Sequence, residues 1–190
     1  SNASLPDLIA GYTVRSAEGH AFNVTVTGRD VDTTPSVTTD SESKFGTALS
    51  LAAKLKFGDT SVSLSGFSGT GAAIYAGWGY NGAAGTAASA EIDSDGELLT
   101  VSGFSAGIGH KVNDKLRVNL RYGQVSADDS SLDDDTLTIT TANLIYAYLP
   151  GLEVGVELRD QSAASNGAAS GSIATRPAGQ QVEVMAMYKF

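Results

Sequence analysis

The feature of this sequence that most constrains its fold is a two-residue alternation of apolar and polar side chains. Successive side chains of a β-strand point to opposite sides, so a segment with this pattern has one apolar face and one polar face. The pattern recurs from Leu8 to the C-terminus, with little helix-like periodicity, and it predicts an all-β chain. In the clearest example, Leu116, Val118, Leu120 and Tyr122 alternate with Arg117, Asn119 and Arg121.

The spacing of turn residues predicts how the strands connect. Tight-turn pairs alternate along the chain with long polar connections at about 31–45, 70–96, 127–135 and 163–179. This alternation places all short turns at one end of the sheet, which indicates an antiparallel up-and-down meander of about eight or nine strands. The turn pairs are Glu18-Gly19, Gly58-Asp59, Asn113-Asp114 and Pro150-Gly151. The nine predicted strands are 8–16, 21–30, 46–57, 60–69, 97–111, 115–126, 136–149, 152–162 and 180–190.

Several features favour a membrane barrel. The chain has no run of about 18 apolar residues, which excludes a transmembrane helix, whereas a barrel strand needs only about ten alternating residues. Outer-membrane barrels also pair short turns with long loops. Nine is an odd count for a closed meander, so either a strand within 71–82 is miscounted or the sheet is part of a larger barrel. We therefore predict all or part of an outer-membrane β-barrel.

Four segments carry a resemblance to a known family: "KLKFGDTSVSLSGFSGTG", "GHKVNDKLRVNLRYGQVSADD", "ANLIYAYLPGLEVGVELRD" and the terminal "YKF". The chain resembles the C-terminal half of bacterial outer-membrane porins, and among them the DcaP-like porins. The resemblance implies a sixteen-stranded barrel, usually trimeric, that passes small anionic solutes such as dicarboxylates. It also implies that an N-terminal half completes the pore. Residues 1–3 look like the remnant of a cleaved expression tag, which leaves 4–190 as a single barrel region.

The C-terminal segment has its own significance within this resemblance. Its alternating pattern is similar to the signal by which the barrel assembly machinery selects clients, and the residues that match are Val184, Ala186, Tyr188 and Phe190. The implied location is the cell outer membrane. The expected partners are outer-membrane lipid, lipopolysaccharide, the assembly machinery and further copies of the full-length protein in a trimer. How a half barrel completes itself, whether by closing, swapping strands or oligomerising, stays open.

The positions of the charged residues, rather than the net charge of the chain, indicate the charge of the solutes. The formal net charge is -9, but the acidic residues fall mostly in the long connections while the bases fall within strands, opposite the apolar residues. A charge facing lipid costs about 2–4 kcal/mol at mid-depth, so the bases are expected to face the lumen. The predicted pore-lining residues are Lys54, Lys56, Arg117, Arg121 and Arg159, beside Asn23, Thr25, Thr27, Ser61, Ser63, Ser65 and Asn119. The alternative is that these bases only neutralise Glu153, Glu157 and Glu183.

Catalytic and cofactor chemistry is not expected. The chain has no cysteine and two histidines without metal-ligand spacing, and "EIDSDGE" at 91–97 lacks the remaining ligands of a calcium loop. We predict no enzyme activity, no metal or cofactor, and no nucleic-acid partner. The competing hypothesis is a small closed or soluble β-barrel that binds a ligand or a surface partner without conducting. Bulky inward side chains favour that alternative, whereas small polar ones favour a channel.

Overall fold

The computed structural model describes residues 6–32, 43–72, 75, 97–129, 132–164 and 179–189, without the side chains of 32, 128, 129, 132–135, 163 and 164. Within these ranges the chain forms one nine-stranded sheet in the order β1 to β9. The strands are β1 (Leu8–Arg15), β2 (Ala21–Asp32), β3 (Ser43–Phe57), β4 (Thr60–Thr70), β5 (Thr100–Lys111), β6 (Leu116–Asp129), β7 (Leu132–Leu149), β8 (Leu152–Ala164) and β9 (Gly179–Tyr188).

The sheet is an antiparallel meander in which each strand pairs with its neighbours in sequence. This confirms the predicted fold class and the count of nine strands. Strands β1 and β9 form the two edges of the sheet, which is not closed, and an odd number of antiparallel strands makes these edges run in the same direction. No helix within the described ranges is long and apolar enough to cross a membrane.

The four tight turns lie where the sequence predicts them. Gly19, Gly58 and Gly151 adopt positive φ angles of 88°, 58° and 82°, a conformation that glycine enters without steric cost. The turn before β6 is held differently, because the side-chain Oδ1 of Asn113 accepts hydrogen bonds from the backbone N–H groups of Lys115 and Leu116 at 2.9 and 3.0 Å. Each turn joins adjacent strands at one end of the sheet.

The prediction of a long loop at 127–135 is wrong. Strand β6 continues to Asp129 and β7 begins at Leu132, so two residues join them. Backbone pairing continues to this tip with a register shift after Ala127, and the hydroxyl groups of Ser126 and Thr136 lie 3.0 Å apart. The polar, acidic composition favours a loop, but the hydrogen-bonded ladder overrides the weak strand propensity of Asp and Ser.

The other long connections correspond to 33–42, 71–99 and 165–178. Strand β5 begins at Thr100 rather than at residue 97, although Leu98 forms an isolated bridge. The candidate extra strand within 71–82 falls almost entirely outside the described residues.

Cross-strand register assigns every strand side chain to one of two faces. We call the face that carries Leu51, Phe104 and Val184 the apolar face, and the opposite one the polar face. These three side chains are 54%, 50% and 84% exposed, so the largest apolar groups lie on the outside of the described sheet rather than in a core. Such an extended apolar surface is typical of a face that contacts lipid or another protein.

Candidate functional site

The five predicted pore-lining residues share the polar face. Lys54 and Lys56 on β3 lie opposite Ser63 and Ser61 on β4. On the strands nearer to β9, Arg121 of β6 and Arg159 of β8 both lie opposite Thr141 of β7. Arg117 lies two residues before Asn119 on the same face of β6. The register therefore brings all five bases to one surface, and their contacts divide them into two groups.

The first group is neutralised by acids. The guanidinium of Arg117 donates two hydrogen bonds to the Glu153 carboxylate, from Nη1 to Oε1 at 2.8 Å and from Nη2 to Oε2 at 3.0 Å. The Nζ atom of Lys189 lies 3.5 Å from Oε2 of the same carboxylate. This two-bond geometry is the strongest arrangement that an arginine and a carboxylate can adopt. The positive charge of Arg117 is therefore neutralised by Glu153.

Arg159 belongs to the same group. Its Nη2 lies 3.0 Å from Oε1 of Glu157 and its Nη1 lies 3.4 Å from Oε1 of Glu183, so it separates two carboxylates that face each other across β8 and β9. The other oxygen of Glu157 accepts a 3.0 Å hydrogen bond from Asn143, whose own Oδ1 accepts one from Asn119 at 2.6 Å. A continuous polar ladder thus runs from β6 to β9.

The second group has no ion pair within the described part of the chain. It consists of Lys54, Lys56 and Arg121, together with Arg15 on the polar face of β1. Lys54 and Arg121 line one cavity of about 390 Å³ with Ser63, Ser105 and other polar-face residues. Free cations and hydroxyl groups that line the same cavity can hold an anion weakly.

A glycine lies between two of the residues that line this cavity. A Cβ atom added at Gly107, which pairs with Ser63 and Arg121, would lie 2.9 Å from Oγ of Ser63 and 3.8 Å from Cβ of Arg121. Any larger residue at this position would therefore crowd the Ser63 hydroxyl group. Gly109 has the same role next to Asn119, whose Oδ1 would lie 2.6 Å from an added Cβ.

Sequence reasoning missed an apolar cluster on the polar face. Leu99, Val101 and Ala127 are 1%, 2% and 2% exposed, and Phe67 and Val125 pack against them. The cluster lies toward the end of the sheet that carries the long connections. One signal was available in the sequence, because Phe67 follows Ser61, Ser63 and Ser65 at the same spacing and breaks their polar pattern.

The predicted assembly-signal residues lie on the edge strand. Val184, Ala186 and Tyr188 pair with Val156, Val154 and Leu152 and face the apolar side, where Val184 and Tyr188 are 84% and 60% exposed. Phe190 lies outside the described residues. The role of these positions as an assembly signal remains a prediction.

Within the described ranges, no group of three or more histidine, cysteine, aspartate or glutamate side chains is close enough to hold a metal ion. The oxygen-rich "EIDSDGE" segment falls outside the described residues except for Glu97. Glu97 accepts a 2.6 Å hydrogen bond from Nζ of Lys44 on β3.

Comparison with known proteins supports the fold. No protein-family model and no curated protein matches the chain. Among solved structures, it is similar to the outer membrane channel DcaP of Acinetobacter baumannii, with a TM-score of 0.72 at 18% identity over 100% of this chain and 53% of that one. It is also similar to OmpT, an outer membrane protein of Vibrio cholerae, with a TM-score of 0.59 at 14% identity over 96% of this chain and 56% of that one.

The chain therefore spans about half the length of these solved proteins, 53% and 56% respectively. All of these neighbours are outer-membrane proteins, in agreement with the predicted location. The resemblance to a DcaP-like porin half is confirmed at the level of the fold. The chain has the fold of one half of an outer-membrane β-barrel.

Proposed function

We propose that this chain forms about half of the wall of a passive diffusion channel in the outer membrane, and that the channel favours small anions such as dicarboxylates. The similar solved structures support the membrane part of this proposal, since one of them is a channel. The solute class rests on the charges of this chain alone.

The observation that carries the proposal is the charge balance of the polar face. Its described strand acids, Glu153, Glu157 and Glu183, are balanced by an equal number of bases, because Arg117 and Lys189 both contact Glu153 and Arg159 contacts Glu157 and Glu183. The strand bases of this face that remain without an ion pair in the described ranges are Arg15, Lys54, Lys56 and Arg121. A surface with four unmatched positive charges raises the local concentration of anions.

The spacing of the free bases supports solutes with two carboxylates. Lys54 on β3 and Arg121 on β6 are three strands apart, about 14 Å at 4.8 Å per strand, yet both line the same 390 Å³ cavity. Two long side chains that reach into one cavity from opposite sides can each pair with one end of a short dianion. The serine hydroxyl groups between them supply further hydrogen bonds and add no charge.

The apolar face supports the proposal that the chain contacts membrane lipid and further copies of the protein. Its exposed aromatic and aliphatic side chains suit contact with outer-membrane lipid, or with neighbouring copies in a trimer of the full-length protein. We propose that the barrel assembly machinery inserts the chain by reading Val184, Ala186, Tyr188 and Phe190, and that lipopolysaccharide surrounds the end with long connections. The two bare edges, β1 and β9, are where the rest of the barrel would pair.

The test is a reversal potential measured across a planar bilayer that contains the complete barrel, with a tenfold gradient of KCl. We expect the sign that chloride preference produces. Equal permeability or potassium preference would refute the proposed anion selectivity. A barrel that inserts but passes no current would favour a closed barrel that binds a ligand without conducting.

A further inference from the structure

The apolar side chains on the polar face lie next to the free bases. On β6 the polar face reads Arg121, Gly123, Val125 from the short-turn end toward the long connections. Arg121 and Val125 are four residues apart, about 13 Å at 3.3 Å per residue. An extended arginine side chain and one small organic ion can bridge this distance together.

Two glycines make room for the apolar side chains. A Cβ atom added at Gly103 would lie 2.7 Å from Cε1 of Phe67 and 2.7 Å from Cγ2 of Val125, so these two side chains lie together over the bare backbone of β5. At Gly123, an added Cβ would lie 3.4 Å from Cγ2 of Ile139. We call Phe67, Val125 and Ile139 the apolar shelf.

The shelf is only partly covered. Leu99, Val101 and Ala127 form the buried part of the cluster at 1–2% exposure. Phe67, Val125 and Ile139 are half-buried, so each keeps some accessible surface, and the register places them on the same face as Arg121 and Ser105. A pore wall that served water and inorganic ions alone would gain nothing from exposed apolar side chains, because they hydrate poorly.

Resting on the proposed function, we infer that the shelf and the free bases form a two-part solute site, which selects organic anions with an apolar, preferably flat, carbon body over hydroxylated anions of equal charge. The carboxylate pairs with Arg121 or Lys54 while the carbon body lies against Phe67 and Val125. Ligand sites commonly combine an apolar lining with a few charged groups that fix orientation. An aromatic ring against Phe67 adds the offset or edge-to-face contact that aromatic pairs prefer.

The experiment compares benzoate with gluconate, two monovalent carboxylates, in liposomes that contain the complete barrel. The readout is the ratio of their permeabilities, and we expect benzoate to be favoured. Phe67→Ser and Val125→Ser should each lower the ratio by about two- to fivefold, which corresponds to the loss of one aromatic or aliphatic contact. Phe67→Leu should keep most of the ratio, because it keeps an apolar side chain.

The matched control is Ile145→Ser, which removes a half-buried apolar side chain from the same face. Ile145 pairs with Arg117, one of the neutralised bases, so this substitution should leave the permeability ratio unchanged. Heat-dependent mobility in SDS verifies that each variant is folded. If chloride preference persists while the serine variants keep the wild-type ratio, the shelf only seals the wall and this inference is wrong. If chloride preference is absent from the wild type, the proposed function itself has failed.

Discussion

Arg117 and Glu153 form a two-bond ion pair that passes over a strand. Arg117 lies on β6 and Glu153 on β8, yet their atoms meet at 2.8 and 3.0 Å above β7. The β7 residue that pairs with Glu153 is Ala147, whose small side chain leaves room for the crossing. The pair therefore ties together three strands that backbone hydrogen bonds already connect.

Removal of one member of this pair should destabilise the sheet. Arg117→Ala leaves Glu153, whose side chain is 14% exposed, with only the 3.5 Å contact to Lys189. We expect a loss of about 1–2 kcal/mol in the free energy of unfolding, measured with urea in detergent micelles. The double variant Arg117→Ala/Glu153→Ala should lose less than the sum of the single variants. Strict additivity would show that the two side chains are not coupled.

The free bases should set ion selectivity while the paired ones do not. Lys54→Gln and Arg121→Gln are each expected to lower the chloride-to-potassium permeability ratio of the complete barrel, because each removes an unmatched charge from the polar face. Lys111→Gln is the matched control, since Lys111 already pairs with Asp114 at 3.0 Å. An equal effect of all three substitutions would contradict the division into free and paired bases.

Substitution by lysine on each face of the sheet tests which face contacts lipid. Leu51 lies near the middle of β3 on the apolar face, and its neighbour Ser50 lies on the polar face. Leu51→Lys should cost roughly 2–4 kcal/mol of stability in bilayers, the cost of a cation at mid-depth in lipid. Ser50→Lys should cost much less. Urea titration of both variants in lipid vesicles measures the difference, and the reverse order would invert the assignment of the faces.

Two glycines on β4 differ in the space around them. A Cβ atom added at Gly69 would clash with Cβ of Ala48 and lie 2.8 Å from the carbonyl oxygen of Thr47, whereas at Gly66 the nearest atom is the carbonyl oxygen of Gly103 at 3.6 Å. Gly69→Ala should destabilise the sheet by about 1–3 kcal/mol because backbone atoms must move. Gly66→Ala should be neutral or slightly stabilising. The melting temperature of the two variants in detergent checks this, and equal values would contradict it.

The terminal residues should affect assembly more than stability. Tyr188→Ser removes an exposed ring from the apolar face of β9. We expect less folded protein in the outer membrane of an expressing cell, with little change in refolding from urea in detergent. Met187→Ser, on the polar face of the same strand, is the control. An equal decrease in both variants would mean that the machinery does not read this face.

The sequence by itself determined the elements and their faces. Alternation assigns each side chain to a face because the period of a strand is two, so the faces of Lys54, Arg121 and Leu51 follow from the local pattern alone. Turn residues predicted the four hairpins, because Gly19, Gly58 and Gly151 need positive φ angles that few other residues adopt. The β6–β7 hairpin was missed because Asp and Ser have weak strand propensity and therefore predict a loop, whereas pairing over long strands overrides that preference.

The tertiary structure alone decided which charges are free. Arg117 and Arg121 are alike in sequence, four residues apart on one strand face, yet only Arg117 has a carboxylate within reach, because the register of β6, β7 and β8 places Glu153 beside it. The meeting of Phe67 and Val125 over Gly103 depends equally on the registers of β4, β5 and β6. Local pattern specifies the direction of a side chain, whereas contacts between residues far apart in sequence depend on how separate strands align.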